Sequence, residues 1–237
     1  MNGANPLLDA GERRLEAVRA RYLLPWQIAL YEAILTAAVV GSSGFDLWLS
    51  RRLSQSDGVL AVALRTVEDL GDSKWFIVPT ACWLLGCLLL FRWVSGEENR
   101  RRLRWWSVSL AYVLASVSVS GIVANVFKTV FGRARPTALA PGETAEWTLF
   151  AFDWKLQSFP SGHATTLFSA AIALAFLFPR YRLFFIGCAV AGAFGRIAIG
   201  AHFFADIVAG AALGGFIAWW LRGFMARRGV APEPAGS

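Results

Sequence analysis

Long apolar runs separated by short polar segments dominate this chain. A membrane-spanning helix needs roughly 20 largely apolar residues, and six runs of about that length can be drawn. They cover residues 27–45, 75–94, 105–127, 162–179, 183–200 and 203–222. The segment before the first run is polar and rich in arginine, which is typical of an uncleaved amphipathic helix rather than a signal peptide. The pattern predicts an all-α bundle of six transmembrane helices.

The same pattern divides the chain into three parts. Residues 1–26 are predicted to form a cytoplasmic amphipathic segment, residues 27–224 the six-helix membrane domain, and residues 225–237 a disordered tail. Within the membrane domain, residues 46–74 carry apolar side chains at helical spacing among mixed charges. That spacing favours short helices at the membrane interface over a packed lid or a wall at a substrate entrance.

Composition and charge support a membrane protein and indicate its orientation. The chain is 56% hydrophobic with 11 Trp and 18 Phe, too apolar for one soluble domain of this length. Its net charge of +7 could indicate nucleic-acid binding, but the arginines are spread over four segments. These segments precede the first run, follow the second, fourth and sixth runs, and are cytoplasmic by the positive-inside rule. Both termini are therefore predicted to be cytoplasmic, and nucleic acid is not an expected partner.

Three polar clusters interrupt the apolar second half of the chain. In the first, Lys128 and Arg135 are seven residues apart and share a face if the helix continues to Pro136, which ends it. These cations oppose the positive-inside bias, so they are candidates for binding an anionic ligand. Arg133 lies between them, and snorkelling at the membrane interface accounts for it at least as well. It remains a secondary candidate.

The second cluster, Phe159–His163, stands immediately before the fourth apolar run. Ser161 is placed to cap the helix, and Gly162 lets an anion approach the backbone closely. First-turn N–H groups could then point at a phosphate, with His163 in the same turn. A merely capping or interfacial histidine is the alternative for this cluster alone.

The third cluster contains Arg196, His202 and Asp206, between the fifth and sixth runs. On a helix, His202 and Asp206 would share a face, so the carboxylate could hold one imidazole nitrogen and make the other more basic. That pairing is typical of a nucleophile and its orienting group. Because the chain has only two histidines, and the arginine-based topology places all three clusters at the outer face, we expect one phosphate-binding pocket with a nucleophile.

The three clusters resemble the signature motifs of the type 2 phosphatidic acid phosphatase (PAP2) superfamily in order and spacing. The resemblance covers roughly residues 45–222, including the six-span layout. One departure is Gly195, where the family pattern usually has serine. This removes a possible hydroxyl contact but none of the catalytic group types, and Gly or Ala also occurs here among bacterial members.

The resemblance implies a role for each motif residue. His202 would attack phosphorus and form a phosphohistidine, Asp206 would set the tautomer of that imidazole, and His163 would protonate the leaving oxygen and later activate water. The phosphoryl oxygens would be bound by the remaining motif groups, which are Lys128, Arg135, Ser161, Gly162 and Arg196. The scheme needs no metal or other cofactor, and the sequence shows no cluster of metal ligands.

The resemblance implies a lipid phosphatase of a bacterial inner membrane with its site at the periplasmic face. Candidate substrates are phosphatidylglycerol phosphate, phosphatidic acid and undecaprenyl pyrophosphate, with lipid A as a close competitor. A phosphotransferase that passes the phosphoryl group to another acceptor is an alternative, and a non-enzymatic anion or lipid transporter is a further one. The oligomeric state is left open, because the small residues in the last two runs suit internal packing as well as dimerisation.

Overall fold

The computed structural model describes residues 33, 36, 37, 43–140 and 143–235. From Ser43 onward its helices are α1 (Ser43–Ser54), α2 (Val59–Thr66), α3 (Lys74–Leu90), α4 (Glu97–Val130), α5 (Gly162–Leu177), α6 (Arg182–Ala198) and α7 (Phe204–Arg227). Two short strands, β1 (Phe131–Arg133) and β2 (Trp147–Leu149), pair antiparallel. The amphipathic segment 1–26 and almost all of the first predicted span lie outside the described residues.

The described part of the chain is mostly helical and contains three or four candidate membrane spans. Three segments are long and apolar enough to cross a bilayer: α4, Pro179–Ala198, which contains α6, and α7. A fourth candidate arises if α3 and the helical segment Val59–Gly71 before it count as one bent span. Helix α5 is apolar but only 16 residues long. The count of six stays a prediction.

Helix boundaries agree with the predicted runs to within a few residues, except in α4. This helix begins at Glu97, well before its apolar part, and runs for 34 residues. Glu97 and Glu98 lie in its first turn, where negative charge is favourable at the positive end of the helix dipole. An apolar pattern therefore predicts the span but not the polar extension of the same helix. At the other end of the chain, α7 continues to Arg227, beyond residue 225 where the tail was predicted to start.

Helix α5 is the centre of the bundle and packs against α4, α6 and α7. Its closest neighbour is α7, because two glycines allow near contact between the backbones. A Cβ atom at Gly214 would lie 2.2 Å from the carbonyl oxygen of Thr165, and one at Gly210 would lie 2.4 Å from that of Ser161. These small residues serve packing inside the bundle.

The segment from α1 to the 3₁₀ turn Glu68–Gly71 covers one end of the bundle. Arg65 ties it together, since the guanidinium donates hydrogen bonds to the carbonyl oxygens of Ser54 (2.8 Å), Ser56 (2.8 Å) and Ala198 at the end of α6 (3.1 Å). The short helices predicted here are present. The segment also packs on the bundle, which fits the alternative of a packed lid or a wall at a substrate entrance. Val59 and Leu60 remain exposed.

Candidate active site

The three polar clusters meet at the end of the bundle that the α1–α2 segment covers. Lys128 lies in the last turn of α4, Ser161–His163 start α5, and Arg196 lies in the last turn of α6. His202 is in the loop that leads into α7, and Asp206 is in the first turn of α7. Four helix ends therefore supply the site, as the sequence predicted from topology.

His202 is almost completely enclosed, with 1% of its surface exposed. Its Nδ1 atom lies 3.3 Å from Ser158 Oγ and 3.7 Å from Asp206 Oδ2. The direct hydrogen bond expected from a four-residue helical spacing is absent, because Phe203 is extended and α7 begins only at Phe204. Ser158 instead stands between the two side chains and donates a 2.6 Å hydrogen bond to Asp206 Oδ2. This arrangement turns Nε2 away from the carboxylate.

The environment of His202 keeps its imidazole neutral. Burial lowers the pKa of His202 from its usual 6.5 to about 4, and the neighbouring Asp206 carboxylate acts in the opposite direction. A neutral imidazole is the form that can attack an electrophile. His202 is therefore in its nucleophilic form at neutral pH.

Asp206 is fully buried and accepts hydrogen bonds at both oxygens. Its Oδ1 atom accepts from Arg133 at 2.8 Å, while Oδ2 accepts from the backbone N–H of Phe203 at 2.9 Å and from Ser158. Because each bond comes from a different direction, the carboxylate has little freedom to rotate. It is held beside His202 in one orientation.

Arg133 is a structural centre of the site, which excludes the alternative of an interfacial, snorkelling side chain. Only 3% of the residue is exposed. Its guanidinium bridges Asp206 and Asp46 Oδ2, the latter at 2.9 Å, and lies 4.2 Å from the centre of the Phe203 ring. Asp46 also accepts a hydrogen bond from the backbone N–H of Ala205. Nothing in the sequence around Asp46 marked it as part of this network, and Ser158 was missed although it directly precedes the Phe159–His163 cluster.

The predicted anion-binding groups lie at the same end of the bundle as His202. Ser161 caps α5 as expected, accepting a hydrogen bond from Ala164 N at 3.4 Å. Lys128 Nζ lies 3.3 Å from the position of a Cβ at Gly162, so it stands over the start of α5. Arg135 is held by carbonyl oxygens of Trp154, Gln157 and Ala201. Cations beside free first-turn N–H groups form a phosphate-binding arrangement.

Arg196 and His163 have acidic neighbours that the sequence did not reveal. The Arg196 guanidinium forms an ion pair with Glu68 of the 3₁₀ turn. Ligand atoms of Glu68, Asp69 and His163 lie within 4.8 Å of one another, a group whose two carboxylates and imidazole could hold a divalent cation. The expectation that the chain has no cluster of metal ligands was wrong. Glu68 and Asp69 are far from His163 in the sequence but lie beside it in the fold.

Together these features define a class: a membrane-embedded helical protein in which an oriented, buried histidine lies at the same helix ends as a set of cations. The chain belongs to the PAP2 superfamily, whose family profile matches residues 108–229. The resemblance of the three clusters to the family motifs is thereby confirmed.

Two curated relatives span most of the chain. A lipid A 1-phosphatase of Rhizobium etli is 36% identical over 199 residues, covering 81% of this chain and 82% of the relative. A lipid A 1-phosphatase of Rhizobium johnstonii is 32% identical over 203 residues, covering 83% and 78%.

Two solved structures share the fold. The transmembrane PAP2-type phosphatidylglycerolphosphate phosphatase of Bacillus subtilis superposes with a TM-score of 0.56 at 18% identity, covering 86% of this chain and 96% of that one. LpxE of Aquifex aeolicus gives a TM-score of 0.52 at 20% identity, covering 74% and 93%.

Proposed function

We propose that this membrane lipid phosphatase acts on lipid A and hydrolyses its phosphate at position 1. The observation that carries the proposal is the pair of lipid A 1-phosphatases that match over about four fifths of their own length. The sequence alone ranked glycerophospholipid and isoprenyl pyrophosphate substrates ahead of lipid A, and these relatives favour the reverse order.

The proposed mechanism gives each of the two histidines the role that the family resemblance implies. Nε2 of His202 attacks phosphorus, forming an N–P bond as the P–O bond to the lipid breaks, while His163 gives its proton to the departing oxygen. Water then attacks the phosphohistidine and yields its proton to His163, releasing inorganic phosphate and restoring both side chains. Asp206, fixed through Ser158 and Arg133, stabilises the positive charge that develops on the His202 ring.

The cations act on the phosphoryl oxygens during both steps. Lys128 stands over the start of α5, Arg135 bonds the carbonyl oxygen of Ala201 next to His202, and Arg196 ends α6 at the same end of the bundle. Together with the first-turn N–H groups of α5, they stabilise charge on the phosphoryl oxygens in the transition state. No step in this scheme uses a metal.

An apolar crevice beside the site supports a lipid substrate. It has a volume of about 500 Å³, and the residues lining it include Phe127, Phe131, Phe159, Pro160 and Leu213. Pro160 directly precedes the Ser161–His163 segment. A lipid could therefore lay an acyl chain in the crevice while its phosphate reaches His202.

The proposal places the protein in a bacterial inner membrane with six spans, both termini in the cytoplasm and the site at the periplasmic face. The arginine distribution supports this orientation. Exposed aromatic residues near the site, including Trp147, Phe152 and Trp154, suit the membrane–water interface.

The test is release of inorganic phosphate by the full-length protein in detergent from a panel of lipids. The panel contains lipid A with both phosphates, lipid A lacking the 1-phosphate, phosphatidylglycerol phosphate, phosphatidic acid and undecaprenyl pyrophosphate. We expect the fastest release from lipid A that carries the 1-phosphate, no release by His202→Ala, and full activity in excess EDTA. Preference for another lipid would overturn the substrate assignment. Transfer of labelled phosphate to an added acceptor lipid, with little free phosphate, would indicate a phosphotransferase instead.

A further inference from the structure

Glu68 forms an ion pair with Arg196, an arginine that the proposed mechanism assigns to the substrate phosphate. Its carboxylate pairs with one terminal nitrogen of Arg196, and the two side chains are 21% and 13% exposed, so the pair is largely shielded from solvent. The Nε atom of Arg196 is buried and has no hydrogen-bond partner among the described residues. The carboxylate thus satisfies only part of the guanidinium.

Two glycines, Gly195 and Gly71, allow the backbone around Glu68 to pack closely against α6 and His163. A Cβ at Gly195 would lie 2.5 Å from the carbonyl oxygen of Leu64 and 2.9 Å from Glu68 Cα. A Cβ at Gly71 would lie 2.7 Å from His163 Cβ. The turn could not dock this closely if Gly195 were the serine usual in the family motif. The departure from the motif therefore makes room for the segment that brings Glu68 to Arg196.

Because the turn is docked on both sides, the carboxylate can leave Arg196 by side-chain rotation without movement of the backbone. A carboxylate attached so close to its partner acts at a high effective concentration, on the order of millimolar or above. Any anion that uses Arg196 must displace it, and its apparent affinity falls by the same factor whatever its charge. Weakly binding anions then fail to occupy the site, while strongly binding anions still do.

The lowered affinity for anions matters in a bilayer, where phospholipid headgroups surround the protein. Most phospholipid headgroups are phosphodiesters with one negative charge on phosphate, whereas a phosphate monoester carries about −1.5 to −2 at neutral pH. A pocket with three cations and no competing anion would be occupied by the surrounding diesters, which greatly outnumber any monoester substrate. A single internal carboxylate lowers the occupancy of the pocket by these headgroups. Because it weakens the binding of diester and monoester by the same factor, it leaves the preference between them unchanged.

We propose that Glu68 is an internal competitor at Arg196, which keeps the phosphate pocket from being filled by the anionic headgroups that surround it. The proposal deepens the proposed function and rests on it for the role of Arg196. It assigns to the α1–α2 segment and its 3₁₀ turn a part in anion binding at the site.

The experiment compares Glu68→Gln and Glu68→Ala with Asp69→Asn in the full-length protein in detergent. Asp69 is the matched control, since it is an exposed acid in the same turn and its replacement removes the same charge. Binding of inorganic phosphate and of dimethyl phosphate is measured by calorimetry. We expect both dissociation constants to fall by one common factor of roughly fivefold in the Glu68 variants, the scale of an ion pair near the surface, and to change less than twofold in Asp69→Asn.

Three results would overturn the proposal. Unchanged dissociation constants would mean that Glu68 does not compete, and weaker binding would mean that it positions Arg196 for the ligand. If Asp69→Asn tightened binding as much as the Glu68 variants do, and more for phosphate than for dimethyl phosphate, the result would indicate a general charge effect. Anion binding needs no lipid turnover, so the result is independent of the lipid panel. If no lipid of the panel released phosphate but the Glu68 variants bound anions more tightly, the lipid assignment would be rejected and the competition by Glu68 would stand.

Discussion

Arg133 makes two charged contacts that together hold the catalytic carboxylate in place. Its planar guanidinium reaches Asp206 with one terminal nitrogen and Asp46 with the other. A lysine carries a single ammonium group and cannot reproduce this two-sided geometry. Removing the bridge would leave two buried carboxylates facing each other without compensation, which is costly in the protein interior.

We therefore expect Arg133→Lys to lower kcat by about 10- to 100-fold, the effect usual for a residue that orients a catalytic ligand. KM should change little, because Arg133 is committed to the two carboxylates rather than to the phosphate pocket. Steady-state kinetics measures both constants. Arg65→Lys is the control, since Arg65 is a partly buried arginine near the same end of the bundle that bonds only backbone carbonyls and makes a distant contact with Asp57. A raised KM with unchanged kcat in Arg133→Lys would instead indicate direct contact with substrate.

The protonation of His202 gives a second prediction at this scale. Because burial lowers its pKa to about 4, the ring should remain neutral from pH 8 down to about pH 5, where an ordinary histidine is mostly protonated. Labelling with 15N-histidine suits the protein, which has two histidines, provided that the affinity tag contains none. Imidazole 15N shifts report charge and tautomer, and His163→Gln assigns the signals. A His202 titration centred near pH 6.5 would contradict the buried, neutral nucleophile.

The sequence identified the residues whose chemistry is local and missed those recruited from a distance. Lys128, His163 and His202 stand out because charged or titratable groups are rare in apolar runs. Asp46 and Glu68 reach the site from other segments, and their immediate neighbours in the sequence carry no sign of it. Long-range side-chain contacts of this kind depend on tertiary packing, which one sequence without an alignment does not reveal.

At the scale of elements, the helices were predictable and their contacts partly so. The apolar runs located α3 to α7 because a bilayer imposes a minimum apolar length. The β1–β2 hairpin was not predicted, since strands of three residues are too short to show an alternating pattern. Small residues indicated close helix packing but not which helix would be the partner.

The contact between α5 and α7 yields a stability prediction. Gly214→Ala would place a methyl group 2.2 Å from the Thr165 carbonyl oxygen, so the helices must separate, at a cost of about 1–3 kcal/mol for overpacking. Gly187→Ala on α6 is the matched control, because nothing lies within 4 Å of a Cβ there, and alanine is the better helix former. Thermal or denaturant unfolding in detergent should show a loss for the first variant and no loss for the second. Equal behaviour would mean that the α5–α7 contact is looser than described.

At the scale of the whole molecule, the orientation in the membrane follows from charge rather than from packing. Thr144 is an exposed residue between β1 and β2, and Asn99 lies at the start of α4, close to the arginines 100–104. In a background without Cys82, Cys87 and Cys188, an impermeant maleimide added to spheroplasts should label Thr144→Cys. It should label Asn99→Cys only after lysis. The opposite pattern would invert the proposed topology.

For the whole molecule, the sequence predicted a membrane protein, the end of the bundle that holds the site and the residues of the three motifs. The number of spans stays a prediction. The first predicted run lies almost entirely outside the described residues, and α2 with α3 forms a bent pair rather than one straight helix. Hydropathy counts apolar length and is insensitive to such a bend. The bend matters because it places the 3₁₀ turn, with Glu68, over the pocket.

The close approach of Gly195 to Leu64 and Glu68 has a consequence for variation among relatives. If the glycine exists to admit an acidic turn, the two positions should vary together through evolution: homologues with serine at the position of Gly195 should have lost the acid at that of Glu68, or hold the turn farther out. Exchanging both positions at once between two such homologues should then be tolerated better than exchanging either one.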